Sequence, residues 1–517
     1  MANHLDLIMF VALIGCILLG FPVSFSISGV AILFAILGAA LGVMDFSLMG
    51  ALGQRVFAVM TNEILVAIPL FVFMGVMLQK SEIAEQLLET MGRLFGGLRG
   101  GLGISVILVG ALLAASTGIV GATVIAMGMI ALPTMLRNGY DSSLASGIVC
   151  TSGTLGQIIP PSTLLIILSD VMSNSYQQAQ FELGKFSVET ISVGQIFAAA
   201  LFPGIMLVLI YICYVLLRAW VSPDSAPALE KLENKASWIE VAGVVLPPVL
   251  LILAVLGSIL GGIATPTEAA SVGAVGALLL AGWHTGPTMR RRVIAATAAL
   301  FLLALAAGNF PVRLQRSSVA WGEWIQALIY AGLVIVALYG IFASLRGTFR
   351  KNVLLPTMTS TMTVTAMIFA TILTASIFSL VFIGLGGDET VKEILSNMPG
   401  GALGALLFCM ALIFILGFFL DFVEITVIVL PVTVPALILM GHDPIWLTVL
   451  IAINLQTSFL TPPFGFSLFY LRGAAPPEVT TGHIYLGVMP FILLQIIGVV
   501  LIWFIPSIST WLPSVIF

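Results

Sequence analysis

A chain of 517 residues with 19 basic and 23 acidic side chains carries about a third of the charge of an ordinary soluble protein, in which roughly a quarter of residues are charged. With 60% hydrophobic residues and a mean hydropathy of +1.17, the composition excludes a soluble enzyme and defines a polytopic membrane protein. The apolar runs are continuous and lack the period-two alternation of outer-membrane barrels, so the spans are helical. The formal net charge of −4 is spread over many loops and points to neither a nucleic-acid partner nor a polybasic anchor.

In chain order, the N-terminal MANHLDLIMFVALIGC has no Lys or Arg and no small-residue cleavage pattern, so it is expected to be the first spanning helix rather than a signal peptide. Residues 1–62 form the first scaffold helices. Residues 63–168 are expected to form a first unit of hairpin plus broken helix. Within it, SEIAEQLLETMGRLFGG sets Glu82, Glu85, Glu89 and Arg93 on one helical face and Ile83, Leu87, Met91 and Leu94 on another, the pattern of an interfacial helix. The apolar run 102–136 is too long for one helix and is interrupted at AASTGIVGAT, which is expected to be the tip of a re-entrant hairpin. The next run is broken by CTSGTLGQIIPPS.

Residues 169–283 are read as scaffold helices with an extracytoplasmic loop. Two polar stretches there, DVMSNSYQQAQFELGKFSVETIS from Asp170 and SPDSAPALEKLENKAS from Ser222, are expected to be solvated loops. Thr265-Pro266-Thr267-Glu268 has the form of a capping box with proline at the first helical position, which accounts for Glu268 structurally. Residues 284–349 read as an inserted pair of helices that leaves and returns through NFPVRLQRSS, including Arg313 and Arg316. The clusters Arg290–Arg292 and Arg346, Arg350, Lys351 put its ends on the cytoplasmic side. Residues 350–472 are expected to form a second such unit and 473–517 a C-terminal helix. Cys16, Cys150, Cys213 and Cys409 lie singly in apolar runs and read as small core residues. His4, His284, His442 and His483 fall at run edges and do not cluster.

The repeat itself is visible when the second half is slid over the first by 302 positions. Pro133, Gly139, Asp141, Pro160 and Pro161 then land on Pro435, Gly441, Asp443, Pro462 and Pro463. Duplicated halves with interrupted membrane segments at matching places are the mark of a secondary transporter whose site lies where the repeats meet.

Each repeat supplies two interruptions. In Cys150–Ser162, Thr151, Ser152, Gly153, Thr154, Gly156 and two prolines prevent an intact helix, because each proline removes a backbone donor and the freed carbonyls need a partner at membrane depth. The second copy, Asn454–Gly465, offers Gln456, Thr457, Ser458 and Thr461. A cage of carbonyl, hydroxyl and amide oxygens without a carboxylate suits Na+ rather than a transition metal. The hairpin tips are Ser116, Thr117, Gly118, Gly121 and Thr123 in the first half and LGFFLDFVEIT, with Asp421 and Glu424, in the second. Carboxylates at membrane depth are costly and usually functional, although a tip that reaches water would hold one cheaply. For small residues the competing reading is close helix packing.

The ordered set PLFVFMG, ALLAASTGIVGAT, LPTMLRNGYD, SGTLGQIIPPS, GGIATPTEAASVGA, LGFFLD, GHDPIWL, LTPPFG and LRGAAP resembles the large membrane subunit of tripartite ATP-independent periplasmic (TRAP) transporters. The resemblance implies an all-α polytopic protein of the bacterial inner membrane, with an inverted-repeat, elevator-type fold, two re-entrant hairpins and broken helices. It also implies Na+-driven uptake of an organic acid, with a small four-helix membrane partner and a periplasmic substrate-binding protein. Carried onto this chain, one Na+ would lie among Ser116, Thr117, Gly118, Gly153, Thr154, Gly156, Ile158 and Pro160. The other would lie among Gly417, Asp421, Gln456, Thr457, Ser458 and Thr461, with Thr123, Thr151, Ser152, Asn454 and Pro462 near the substrate. The first tip and the longer loop after Asp170 resemble members that carry 2-oxo acids, mannitol-like compounds or chloroaromatic compounds. The competing readings are a membrane-embedded enzyme, which would need a catalytic cluster that the sequence does not show, and an ATP-driven permease or a channel for another small solute.

Overall fold

The computed structural model describes residues 4–229, 237–312 and 321–517; the 313–320 turn, with Arg313 and Arg316, lies outside the described residues. Among them every regular element is helical, and nine helices are long and apolar enough to cross a membrane.

The two repeats follow one plan. In the first, Ala67–Lys80 bends by 58° into Ile83–Phe95, with Glu82 left-handed at the corner (φ 64°). That corner redirects the amphipathic stretch, whose Ile83, Leu87 and Met91 are buried while its acidic face is exposed or half-buried. A hairpin follows, Gly101–Thr117 and Val120–Arg137, then the broken helix Ser142–Thr154 and the helix Thr163–Glu182. In the second, Leu354–Gly384 and Gly387–Ser396 precede the hairpin Gly401–Leu416 and Phe422–Leu439. The broken helix Pro444–Leu460 and the helix Phe466–Ala474 complete it. The first arms, 17 and 16 residues long, fall short of the twenty or so residues of a full span.

Each identity between the halves has a geometric reason. Gly139 and Gly441 sit at φ 78° and 95° in the turn after each hairpin, a region that a side chain would strain. Asp141 and Asp443 are N-caps, accepting from Leu144 N at 2.8 Å and Trp446 N at 2.7 Å. Pro133 and Pro435 lie inside the second arms, and Pro160-Pro161 and Pro462-Pro463 are both cis. The left-handed glycines that open the first arms, Gly100 and Gly400, are 300 apart rather than 302. The difference is taken up in the tips, which run through 118–119 in one hairpin and 417–421 in the other.

The repeats are interleaved. The second arm of the first hairpin packs on Phe466–Ala474, and that of the second hairpin packs on Thr163–Glu182. Such reciprocal contacts are what a two-fold relation between the halves produces. The scaffold wraps this core: Val23–Ala40 lies on Leu354–Gly384, Pro266–Trp283 on Ala67–Lys80, and Thr481–Phe504 on Ser142–Thr154. The inserted helices Pro287–Asn309 and Trp321–Arg350 pack on each other and on Pro266–Trp283. The capping box at Thr265 and Glu268 forms, with bonds of 2.8 and 3.3 Å.

Three expectations are corrected. The stretch from Asp170 is not a loop as far as Glu182: it continues the helix Thr163–Glu182, because Val171, Met172, Ser175, Ala179 and Gln180 form a buried stripe. Asp170 is held by Asn62 at 2.9 Å, and Gln180 exchanges hydrogen bonds with the Glu189 backbone. The stretch from Ser222 is docked rather than solvated where it is described, as Ala226 accepts from Gly100 N and Leu229 donates to Gly96 O; its residues 230–236 lie outside the described residues. Of the cysteines, Cys150 and Cys409 are buried, whereas Cys213 is exposed, on a helix whose outward face is apolar.

Candidate functional site where the two broken helices cross

The breaks come together at the centre of the protein. Gln456 Nε2 donates to Thr154 Oγ1 at 3.4 Å, and the two residues are 302 apart, the offset of the repeat. A residue meets its own repeat mate only close to the axis that relates the halves, so this bond marks the crossing point. Both breaks are closed by the same device: Ser162 Oγ donates to Gln157 O at 3.0 Å and Ser467 Oγ to Phe459 O at 2.7 Å. Gln157 and Phe459 are again 302 apart. A serine after the proline pair thus satisfies one carbonyl freed by the break.

The hairpin tips close on the breaks through glycines. Gly118 is left-handed (φ 60°), and a Cβ there would lie 2.7 Å from Thr163 N and 2.8 Å from Thr163 Oγ1. Gly156 lies against Ala114, Gly153 against Val124, and Gly417 against the Ser458 side chain. Phe422 and Phe459 rings, with centroids 6.3 Å apart, add an apolar contact between the second tip and its break. The backbone of Ser116 and Thr117 ends the first arm, and their side chains lie outside the described residues.

The first break holds unpartnered buried polar atoms: Thr151 Oγ1, both amide atoms of Gln157 and Thr163 Oγ1; Gln456 Oε1 joins them from the second. All four side chains are at most 1% exposed. Burying such groups unpaired costs about 1 to 3 kcal/mol each, so the first break, which holds three of these four side chains, is where a polar occupant would gain most. The hydroxyls of the second break are engaged: Thr457, Ser458 and Thr461 donate to Ile453, Leu455 and Thr457 carbonyls at 2.7 to 2.8 Å. Each oxygen keeps its lone pairs for a cation.

Asp421 and Glu424 form a reciprocal capping box at the start of the second arm, with Asp421 Oδ1 accepting from Phe422 N at 2.7 Å and Glu424 accepting from Asp421 N. Of the remaining expected site residues, Ile158 is buried beside Pro160. Ser152 donates to Ile148 O at 2.5 Å and packs on Gly110, while Asn454 donates to Met410 O at 2.8 Å. Both tie a broken helix to its own hairpin. Thr123 donates to Ile119 O at 3.1 Å, and Pro462 stands half-buried in the second break. Gln157, Thr163 and Tyr470, whose ring covers Gly121, were not singled out by the sequence reading. Gln157 lay inside the motif but read as one polar residue among many.

A helical membrane protein of two interleaved repeats, each with a hairpin tip closing on a broken helix, is a membrane transporter rather than an enzyme. The family model of the tripartite ATP-independent periplasmic transporter, DctM component, matches residues 10–312 and 323–508, and the chain belongs to that family of large permease subunits. It is 26% identical to the C4-dicarboxylate TRAP transporter large permease protein DctM of Vibrio cholerae, over 98% of this chain and 97% of that one. It is 24% identical to the ectoine TRAP transporter large permease protein TeaC of Halomonas elongata, over 99% of each. The YdaH transporter of Alcanivorax borkumensis shares the fold at a TM-score of 0.52 and 16% identity, over 90% of this chain and 89% of that one.

Proposed function

We propose that the chain carries a small organic acid inward across the bacterial inner membrane, driven by Na+. In this reading it is the transport subunit of a system with a small four-helix membrane partner and a periplasmic substrate-binding protein. The observation that carries the reading is the set of unpartnered oxygens at the crossing of the broken helices. Ser142–Thr154 and Pro444–Leu460 end there, and C-terminal carbonyls favour a cation. Thr163–Glu182 and Phe466–Ala474 begin there, and helix N-termini favour a carboxylate. One side of the crossing therefore suits the driving ion and the other the anionic cargo. Relatives named for C4-dicarboxylate and ectoine, both carboxylate-bearing compounds, support an organic acid. The first tip and the stretch after Asp170 resemble those of members that carry 2-oxo acids, which makes a 2-oxo acid one candidate cargo within that class.

The moving part in this proposal is the pair of hairpins with the two broken helices, which the glycine contacts lock into one body. It slides as an elevator against the scaffold of Val23–Ala40, Pro266–Trp283 and Thr481–Phe504. The test is uptake into proteoliposomes holding the chain with its two partners. Uptake is expected under an inward Na+ gradient without ATP. Equal uptake with K+ in place of Na+, or a strict need for ATP, would overturn the proposal.

A further inference from the structure

Away from the crossing, a groove of about 780 Å3 runs between the bent helix Ile83–Phe95, the helix Trp238–Leu260 and the first inserted helix Pro287–Asn309. Its two ends differ in chemistry. One end is walled by Pro247, Pro248, Val293, Ile294, Ala298 and Phe301, and Ile294 and Phe301 are 54% and 64% exposed. The other end carries Gln86, Trp283, His284 and Arg290. The Arg290 guanidinium lies over the Trp283 ring, 5.7 Å from its centroid, so its charge is held at the rim. His284 Nδ1 is 3.0 Å from Leu280 O, leaving its other ring nitrogen unused by that bond. Among the described residues no carboxylate lines the groove, and Glu240, at the start of Trp238–Leu260, is paired with Arg93 at 2.7 Å. Arg291 and Arg292 follow Arg290 on the same helix end.

We infer that this groove is a binding site for an anionic phospholipid, with the phosphate at Arg290 and His284 and an acyl chain along Pro248, Ala298 and Phe301. The inference is independent of the transport reading. The groove opens between helices that cross the hydrocarbon layer, where an acyl chain is the apolar material at hand. Its single cationic end stands at the first turn of a spanning helix, the depth at which phosphates lie. A second groove, lined by Phe202, Leu209, Cys213, Tyr214 and Ile508 among others, has no such end and is assigned no ligand.

The test is native mass spectrometry of the full chain in detergent, titrated in parallel with phosphatidylglycerol, phosphatidylcholine and inorganic phosphate. Retention of one phosphatidylglycerol in preference to phosphatidylcholine is expected. Arg290→Gln should lower it about fivefold, the worth of roughly one cation at a membrane surface, and Ala298→Trp, which fills the apolar end, should abolish it. Thermal unfolding shows whether each variant is folded, and Ile294→Trp is the second groove-filling variant should Ala298→Trp unfold. Equal retention of the two lipids, retention unchanged in Arg290→Gln and the groove-filling variant, or displacement by inorganic phosphate alone would overturn the inference. So would crosslinking from position 298 to the small membrane partner in place of lipid.

Discussion

The two breaks share a backbone and differ in their polar contents. Both have a cis proline pair, a serine closing one carbonyl and a glycine-bearing tip. The first encloses side-chain groups with no partner, Thr151, Gln157 and Thr163. In the second, Thr457, Ser458 and Thr461 spend their protons on their own helix, and aromatic rings line its mouth, with Phe419 and Phe464 centroids 5.5 Å apart. A duplicated fold therefore conserves the way a helix is opened, while what fills the opening is free to diverge. In this chain the first opening carries the larger unmet demand for a polar occupant.

The largest effect should come from forcing a tip off its break. A Cβ at Gly417 would lie 2.7 Å from Ser458 Cβ, so Gly417→Val should cost about 1 to 3 kcal/mol of stability and reduce uptake to background. Gly153→Val should do the same against Val124 in the first half. Thermal unfolding and uptake read both, and a variant with normal uptake would mean that the tips do not close there during transport.

The next effect separates the openings chemically. Thr154→Val and Thr461→Val each remove one oxygen at nearly constant volume. Each should raise the half-saturating Na+ concentration of uptake about five- to thirtyfold, the equivalent of roughly 1 to 2 kcal/mol for one lost ligand. Unchanged Na+ curves for both, in folded protein, would place the driving ion elsewhere.

The sharpest contrast between the openings is Gln157→Leu. Replacing an unpartnered buried amide by an apolar group of similar size should stabilise the Na+-free protein by about 1 to 3 kcal/mol while lowering uptake. The matching change at Phe459 has no amide to remove. A lowered melting temperature for Gln157→Leu without Na+ would show that the amide is satisfied and that the first opening carries no special demand.

The smallest effect should come from outside both repeats. The inserted helices touch the scaffold and have no counterpart in the duplication, so replacing the stretch between Thr285 and Arg346 with a short polar linker should leave Na+-driven uptake largely intact. Loss of uptake in a folded variant would bring this region into the transport machinery.

The sequence by itself determined the class, the repeat and the breaks. Composition demands membrane helices, and prolines and glycines interrupt a helix wherever they fall, because their effect on the backbone is local. The same holds for the cap at Thr265, whereas the structure shows that Asp141 and Asp443 are caps too. The 302-residue offset of the repeat was legible for a structural reason, since Gly139, Asp141 and the proline pair each do a backbone job that few residues can do. Only the tertiary structure decided that Thr154 and Gln456 meet, that each hairpin packs on the other repeat, and that Gln157 and Thr163 are left without partners. It also decided that the polar stretch from Asp170 to Glu182 is helix, because a stripe as sparse as Val171, Met172, Ser175 and Ala179 becomes a buried face only when other helices cover it. Whether a polar group is satisfied or waiting depends on what the fold brings to it across hundreds of residues, and no local pattern carries that information.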